Sequence, residues 1–211
     1  DVGLADWHFN LRNTDGNLLL DSTESDGQGN FNFGNVPDGT YQVCEVTQVG
    51  WLNSTPGGTG EEVCQTVQVA PGQTSVANFG NFELGAIQGR KYQDDNQDGT
   101  RNGGESWLAD WAIRLYKDTQ NGWSQVGETS TAGDQGIYRF ENLTLGTYYT
   151  CEVLQDGWKQ TGPLVSGSNH VANQSPKASG EGPVSWRSVI NQSGQARTSR
   201  RFGNNHQGQV T

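Results

Sequence analysis

The sequence predicts an all-β protein made of two tandem antiparallel β-sandwiches, and three observations lead to this prediction. Short runs rich in Val, Tyr, Phe and Thr alternate apolar with polar residues, and turns containing Gly and Asp separate them. No stretch shows a sustained helical period of 3.6 residues. The chain also repeats itself, so that one module of about seven strands is expected to occur twice.

An internal repeat sets the predicted domain organisation. The matching pairs of segments are 4–17 with 108–122, 29–56 with 136–163, and 78–81 with 201–204. We therefore predict one sandwich over 1–84 and a second over 85–211. Residues 85–106 of the second copy have no counterpart in the first. A Ser/Gly/Pro-rich insertion at about 165–184 predicts a long surface loop.

Within each copy, alternation predicts the individual strands. The clearest runs are FNFGN (31–35) and YQVCEV (41–46) in the first copy, and IYRFEN (137–142) and YYTCEV (148–153) in the second. Trp7 and Trp111 lie in predicted strands, and Trp51 and Trp158 follow a Gly at a strand end. We interpret all four indoles as core and hairpin packing rather than as ligand-stacking surfaces.

The charge pattern excludes some classes of partner. The chain has 211 residues and a net charge of −10, and its first 85 residues contain one base, Arg12, and no lysine. Such a surface repels phosphate backbones, so nucleic acid is not expected as a partner.

No apolar run approaches the length of a membrane-spanning helix. The first residues lack the features of a signal peptide, and we expect the chain to be an excised piece of a longer protein.

Residues 94–105, DDNQDGTRNGGE, have the spacing of an EF-hand calcium loop. Gly99 falls where such a loop turns sharply, and Asp95 is expected to point outward. Calcium takes six to eight hard oxygen ligands. The predicted ligands are Asp94, Asn96, Asp98, Thr100 through its carbonyl, Asn102 and Glu105.

The flanks of this loop are not those of an EF-hand, because GRKYQ (89–93) and SWLADW (106–111) both read as strands rather than helices. We therefore predict a calcium loop on a β-scaffold. The alternative is an acidic turn that binds nothing.

Taken together, several motifs of the second copy resemble a known family. GRKYQDDNQDG, GIYRFENLTLGTYYTCEVLQDGW and RFGN resemble the Cna B-type, or serine-aspartate-repeat (SdrD) B-like, repeat of bacterial surface proteins. The resemblance covers almost all of 85–205 and, without the first strand, residues 1–83. It implies prealbumin-like or immunoglobulin-like sandwiches at the extracellular surface of a bacterium, in adhesins, pili or stalks. It also implies calcium as a cofactor in many members.

The resemblance further implies an intramolecular isopeptide bond. The lysine of the first strand corresponds to Lys91, the assisting acid to Glu152 and the asparagine of the last strand to Asn204. Burial is expected to favour a neutral amine and a protonated carboxyl, the forms that the reaction requires. The alternative is an ordinary ion pair between Lys91 and Glu152, and Asn205 is a second candidate partner for the lysine.

The first copy departs from this pattern. Glu45 and Asn81 match the acid and the asparagine, but residues 1–85 contain no lysine in cis. Its sheet is expected to have an open groove where the first strand is missing. The interpretation that we prefer is that upstream sequence has been removed. The alternative is that another chain supplies the strand by β-augmentation. The tail NHQGQVT resembles the start of a further repeat, which favours a cut from a repeat array.

The three cysteines suggest an oxidising compartment. Cys44 and Cys64 lie in adjacent predicted strands and are predicted to form a disulfide. Cys151 is the counterpart of Cys44, whereas the counterpart of Cys64 falls near Trp186, so Cys151 is expected to be a buried thiol. The spacing is not that of a zinc site.

These observations favour a non-enzymatic spacer or stalk module of a secreted bacterial surface protein. Its expected partners are neighbouring repeats of the same chain and, through other parts of the protein, a host or matrix protein or a glycan. No nucleophile–base pair is evident, so any catalysis is a single self-cross-linking event. Two alternatives remain: sugar stacking on Trp107, Trp123 or Trp186, and docking of a lysine-bearing strand from another chain into the first domain.

Overall fold

The computed structural model describes residues 2–162, 185–190 and 194–206. The chain divides into two compact units, Asp1–Glu83 (unit 1) and Leu84–Thr211 (unit 2). Every regular element in the described residues is a β-strand, which confirms the all-β prediction. The described residues contain no helix that is long and apolar enough to span a membrane. The predicted insertion at about 165–184 lies outside the described residues.

Unit 2 is a sandwich of two four-stranded sheets. One sheet has the order β10-β7-β14-β12 and the other β13-β11-β8-β9. The unit 2 strands are β7 (Gly85–Gln93), β8 (Ala112–Thr119), β9 (Gly122–Ser130), β10 (Ile137–Leu143), β11 (Gly146–Glu152), β12 (Trp158–Gly162), β13 (Ser185–Ile190) and β14 (Ala196–His206). The apolar side chains of Ile87, Ile113, Leu115 and Phe202 fill the space between the sheets and are at most 1% exposed. Their burial removes apolar surface from water and holds the two layers together.

Strand β7 is central to its sheet, because it pairs with β10 antiparallel on one side and with β14 parallel on the other. Alternate residues of β7 face the core, so Ile87 and Lys91 lie on the same inward face.

Unit 1 has one full sheet, with the order β2-β1-β3-β5, and a separate pair, β4-β6. Its strands are β1 (His8–Asn13), β2 (Leu19–Glu24), β3 (Gly39–Val46), β4 (Trp51–Thr55), β5 (Glu62–Val69) and β6 (Gly80–Glu83). The repeat alignment makes β6 the counterpart of β14 and the segment 31–35 the counterpart of part of β10. In unit 2, β10 and β14 lie on either side of β7. Among the described residues of unit 1, no strand lies between segment 31–35 and β6.

This missing strand explains one wrong prediction. Residues 31–35 form no strand, although their sequence alternates. The described strands number six in unit 1 and eight in unit 2, on either side of the predicted figure of about seven in each. Strand structure requires a ladder partner for the backbone groups, and the partner of this segment would be the counterpart of β7.

The prediction of a strand at 106–111 is also wrong. This segment makes only an isolated bridge between Trp107 and Tyr92. Asp110 has a φ of 56°, in the left-handed region, which interrupts extended backbone before β8 begins. The tryptophans pack as predicted: Trp7 and Trp111 are 3% and 2% exposed. Each meets the edge of a second indole, Trp51 and Trp158 respectively.

Candidate functional site

Three polar side chains from three strands of unit 2 meet inside the core. Lys91 lies on β7, Asn204 on the adjacent parallel strand β14, and Glu152 at the end of β11 in the facing sheet. Their exposed fractions are 0%, 0% and 3%. Burial of three polar groups away from water is costly unless they satisfy one another, so this cluster marks a candidate site.

The glutamate stands between the other two groups. Glu152 Oε2 is 3.5 Å from Lys91 Nζ, and Glu152 Oε1 accepts a hydrogen bond of 2.5 Å from Asn204 Nδ2. The ammonium group also lies 3.4 Å from the carbonyl oxygens of Tyr92 and Phe202. The register that pairs Phe202 with Lys91 therefore brings the end of the lysine side chain to the strand that carries Asn204.

Burial changes the protonation of the pair. Desolvation lowers the pKa of Lys91 to about 8, although the nearby Glu152 carboxylate opposes this change. Desolvation also raises the pKa of Glu152, and Lys91 opposes that shift. Trp111 forms an apolar wall on the site, with its ring centroid 4.6 Å from Lys91 Nζ. Compared with water, burial therefore shifts both groups toward their uncharged forms, the neutral amine and the protonated carboxyl.

The remaining polar atoms of the site are short of partners. Glu152 Oε2 has only its ion-pair contact with Lys91, and Asn204 Oδ1 is buried without a hydrogen-bond partner. A half-turn of the Asn204 amide would place Oδ1 against Glu152, where a protonated carboxyl donates to it and polarises its carbonyl. The geometry can therefore support attack of a neutral lysine amine on an activated amide carbon.

Unit 1 contains the same arrangement without the lysine. Glu45 is fully buried and accepts hydrogen bonds from Asn81 Nδ2 at 2.8 Å and from Asn53 Nδ2 at 2.9 Å. Burial raises the pKa of Glu45. Asn81 Oδ1 is buried without a partner, as is the corresponding oxygen of Asn204. In unit 1, Asn53 therefore donates to one oxygen of the Glu45 carboxylate. In unit 2, Lys91 contacts the carboxylate of Glu152 instead.

The acidic loop 94–105 is closed by its own side chains. Asp94 accepts hydrogen bonds from the backbone N–H groups of Asp98 and Gly99, and Glu105 from those of Asp95 and Asn102. Gly99 has a φ of 77°, the left-handed turn expected of it. The side chain of Asp95 is directed away from the loop and accepts a bond from Gln93.

The donor set of this loop fits a hard cation. Asp94 and Glu105 are 0% and 6% exposed, and in the described part of the chain neither carboxylate forms an ion pair with Lys or Arg. Buried carboxylates without a cationic partner are unfavourable, and calcium is a suitable counter-charge for them. Among the described residues, the carboxylates of Asp94, Asp98 and Glu105 do not all lie within 4.8 Å of one another, so coordination of one ion would require these side chains to draw closer together.

Comparison with protein-family models gives a direct match. The SdrD B-like domain matches residues 85–196, which is more than half of the chain. The chain belongs to the SdrD B-like domain family. A prealbumin-like fold domain matches residues 1–54. This family places the chain outside the cell, at the bacterial surface.

Curated relatives of this SdrD B-like chain come from Staphylococcus aureus. A bone sialoprotein-binding protein is 26% identical over 169 residues, which is 77% of this chain and 14% of the relative. Serine-aspartate repeat-containing protein C is 28% identical over 170 residues, 77% of this chain and 18% of the relative. The chain therefore spans less than a fifth of these proteins.

Solved structures of surface proteins are more distant from this SdrD B-like chain. The shaft pilin SpaA of Lactobacillus rhamnosus GG is 9% identical, with a TM-score of 0.42, covering 99% of this chain and 87% of the pilin. The Bacillus anthracis TIE protein is 18% identical, with a TM-score of 0.40, covering 97% of this chain and 32% of that protein.

Other predicted residues of this SdrD B-like chain lie apart from the lysine site. Cys44 and Cys64 face each other on β3 and β5 and form a disulfide. Cys151 is a buried thiol whose cross-strand neighbour is Ser185, one residue from the predicted position. Asn205 points to the acidic loop, where its Nδ2 donates to the carbonyl of Asp94 at 3.0 Å. Because its side chain binds the loop, Asn205 is not positioned as a second candidate partner for Lys91.

One contributor to the site was not found by sequence reasoning. Asn53 aligns with Gln160, so the repeat gave no signal for the hydrogen bond from Asn53 to Glu45.

Trp107 was considered as a sugar-stacking surface, yet it is half-buried and the guanidinium groups of Arg90 and Arg101 lie 5.0 and 4.2 Å from its ring centroid. Trp123 is half-buried against Tyr149, and the side chain of Trp186 lies outside the described residues.

Proposed function

We propose that this chain is a spacer segment of a bacterial surface protein in which unit 2 is locked by an isopeptide bond between Lys91 and Asn204. The observation that supports this proposal is the buried contact of Glu152 with both the lysine and the asparagine. In a simple ion pair, Asn204 would act only as a hydrogen-bond donor to Glu152. Condensation of the two outer groups uses all three side chains.

The reaction balances without a cofactor. The neutral Nζ of Lys91 attacks Cγ of Asn204, and a new C–N bond forms as the bond from Cγ to Nδ2 breaks. Protonated Glu152 donates to Oδ1 as the tetrahedral intermediate develops, and it relays the amine proton to the departing nitrogen, which leaves as ammonia. The event occurs once per molecule, since the product is part of the fold.

The same proposal assigns calcium to the loop 94–105. Asp94, Asn96, Asp98, the carbonyl of Thr100, Asn102 and Glu105 would hold the ion, which supplies positive charge to carboxylates that otherwise repel one another. Asp94 is also joined to the last strand, because its N–H donates to the carbonyl of Asn204 at 2.6 Å. Ordering of the loop would therefore support the end of β14 beside the cross-link.

The covalent bond would make unit 2 resistant to extension. It joins residue 91 to residue 204, so a pulled chain transmits force through the bond and not through ladder hydrogen bonds. About 113 residues lie within the closed loop, equivalent to about 380 Å of extended chain that cannot be released.

Single-molecule extension of the 211-residue chain tests this function. The wild-type chain is expected to lack the lengthening of about 380 Å, and Asn204→Ala is expected to show it because the loop is then open. Asn205→Ala serves as the matched control and should behave as wild type. Release of the full length by the wild-type chain would contradict the proposal.

A further inference from the structure

Three arginines of unit 2 gather around the side chain of Trp107. The guanidinium carbons of Arg101, Arg90 and Arg201 are 4.2, 5.0 and 5.9 Å from the centroid of its ring, and we call these three residues the arginine cluster. Trp107 itself is half-buried and makes a T-shaped contact with Tyr92. Three positive charges therefore lie around one aromatic ring, in a chain whose net charge is −10.

Strand register brings two of these like charges together. Arg90 on β7 and Arg201 on β14 are directly paired in the parallel ladder. The next residues along the two strands, Lys91 and Phe202, face the core, so both arginines lie on the outer face of the sheet. Like charges that face each other across neighbouring strands are destabilising. An anion bound between the guanidinium groups would offset this cost.

The neighbouring acidic loop does not pair with Arg90 or Arg101. Arg90 Nη2 donates to Oε1 of Gln135 at 2.8 Å, and Arg101 Nη2 donates to the carbonyl oxygen of Glu105 at 2.7 Å. Neither of these two arginines forms an ion pair with a carboxylate of the described residues. The carboxylates of Asp94 and Glu105 accept backbone N–H groups of the loop instead. The positive charge of these two guanidinium groups is therefore available to a ligand.

Arg101 also has a donor without an acceptor. Its Nε is buried and has no hydrogen-bond partner in the described part of the chain. A buried donor without an acceptor is unfavourable, and such groups are uncommon in folded proteins. Turning of this guanidinium toward a bound anion would break no hydrogen bond at Nε.

The internal repeat indicates that the fold does not require an arginine on β14. Arg201 corresponds to Asn78 in the matching segments RFGN and NFGN. Arg90 and Arg101 lie in residues 85–106, which have no counterpart in unit 1. The arginine at this position thus occurs in the copy that also carries the rest of the cluster, and unit 1 has asparagine there.

We propose that the arginine cluster binds a single sulfate or phosphate monoester group. A guanidinium group donates two parallel hydrogen bonds to an oxyanion, and a monoester has three terminal oxygens, enough to contact more than one arginine. A carboxylate has only two oxygens and fits a single arginine better. Because the whole chain is strongly acidic, a dense polyanion is disfavoured, and the expected ligand is a small or sparsely charged molecule. This binding requires neither the cross-link nor the calcium of the proposed function.

An NMR titration of the isotope-labelled 211-residue chain with methyl sulfate or methyl phosphate tests the site. At constant ionic strength, the Nε–H signal of Arg101 and the indole N–H signal of Trp107 are expected to shift and to saturate, with a Kd of about 1–10 mM. Methanol at the same concentrations is the uncharged control and should cause no such shift. Binding of either ester supports the site, and the tighter of the two identifies the preferred anion.

Substitutions show whether the cluster itself is responsible. Arg90→Gln and Arg201→Asn, which introduces the residue of unit 1, should each weaken binding about tenfold. Arg139→Gln is the matched control, because Arg139 is an exposed arginine of the same sheet that already pairs with Glu141, and it should bind as the wild type does. The spectrum of each variant without ligand reports whether it is folded.

Two results would overturn the inference. One is the absence of a saturable shift up to about 50 mM of either ester. The other is equal affinity in Arg201→Asn and Arg139→Gln, which would mean that the anion binds elsewhere. The intact mass of the same sample reports the Lys91–Asn204 bond separately, so failure of the anion site and failure of the proposed cross-link are distinguished.

Discussion

At the scale of single residues, the site depends on one shared proton. Burial lowers the pKa of Lys91 and raises that of Glu152, so the neutral amine beside a protonated carboxyl approaches the energy of the ion pair. Both forms carry the same number of protons, and they interconvert without exchange with solvent. The reactive form is thus present wherever the pair keeps one proton in total.

This equivalence predicts the pH dependence of cross-linking. Above about pH 8 the pair loses its last proton, Glu152 cannot donate, and the rate is expected to fall about tenfold per pH unit. Below that pH the rate should be level until Glu152 and Lys91 are both protonated. The chain is kept denatured after synthesis, refolded at each pH and quenched at intervals. The fraction of molecules that have lost ammonia, read from the intact mass, gives the rate of cross-linking. A rate that keeps rising above pH 9 would contradict this account of Glu152.

At the scale of elements, β7 connects the site of the proposed cross-link to the loop that follows the strand. The strand carries Lys91 inward and ends at Gln93, directly before Asp94. Hydrogen bonds from Asp94 and Asn205 then join the start of the loop to β14. One strand and its extension therefore carry Lys91 and contact Asn204, the two residues of the proposed bond.

The loop gives a prediction with a close control. Asp94→Asn removes a buried charged ligand and should lower the thermal midpoint in calcium while making it insensitive to a chelator. Asp95→Asn changes the neighbouring exposed carboxylate and should leave the chelator response of the wild type intact. Thermal unfolding in calcium and in chelator provides the comparison. An unchanged wild-type midpoint on chelation would remove calcium from the proposal.

The turn before β10 gives a second prediction at this scale. Gly136 has a φ of 53°, and a Cβ there would lie 2.5 Å from the carbonyl oxygen of Lys91. Gly136→Ala should therefore destabilise unit 2 by about 2–4 kcal/mol. Gly133 has a similar φ of 65° but open space around it, so Gly133→Ala should cost only about 1 kcal/mol. Denaturant unfolding measures both, and equal effects would refute the role of the contact.

Sequence reasoning succeeded where the signal was local or repeated. Alternation and the repeat predicted the all-β class, and the loop spacing predicted the sharp turn at Gly99, which has a φ of 77°. It failed where long-range pairing decides the structure. Residues 31–35 alternate like a strand but have no strand beside them, and Asn53 contacts Glu45 through the fold rather than through a motif.

At the scale of the whole molecule, the two units are stabilised by different means. Unit 1 has a disulfide between Cys44 and Cys64 and an open groove. Unit 2 has a complete pair of sheets, the acidic loop and the buried triad of Lys91, Glu152 and Asn204. A structural domain at the bacterial surface is exposed to force and proteases, so the covalent state of unit 2 decides how well the proposed spacer would withstand them.

The intact mass of the reduced and denatured chain tests that claim most directly. The wild-type chain is expected about 17 Da below the mass calculated from its sequence, through loss of one ammonia. Lys91→Met and Asn204→Ala should each have their full calculated masses. A wild-type chain at its full calculated mass, after folding at neutral pH with calcium present, would contradict the account.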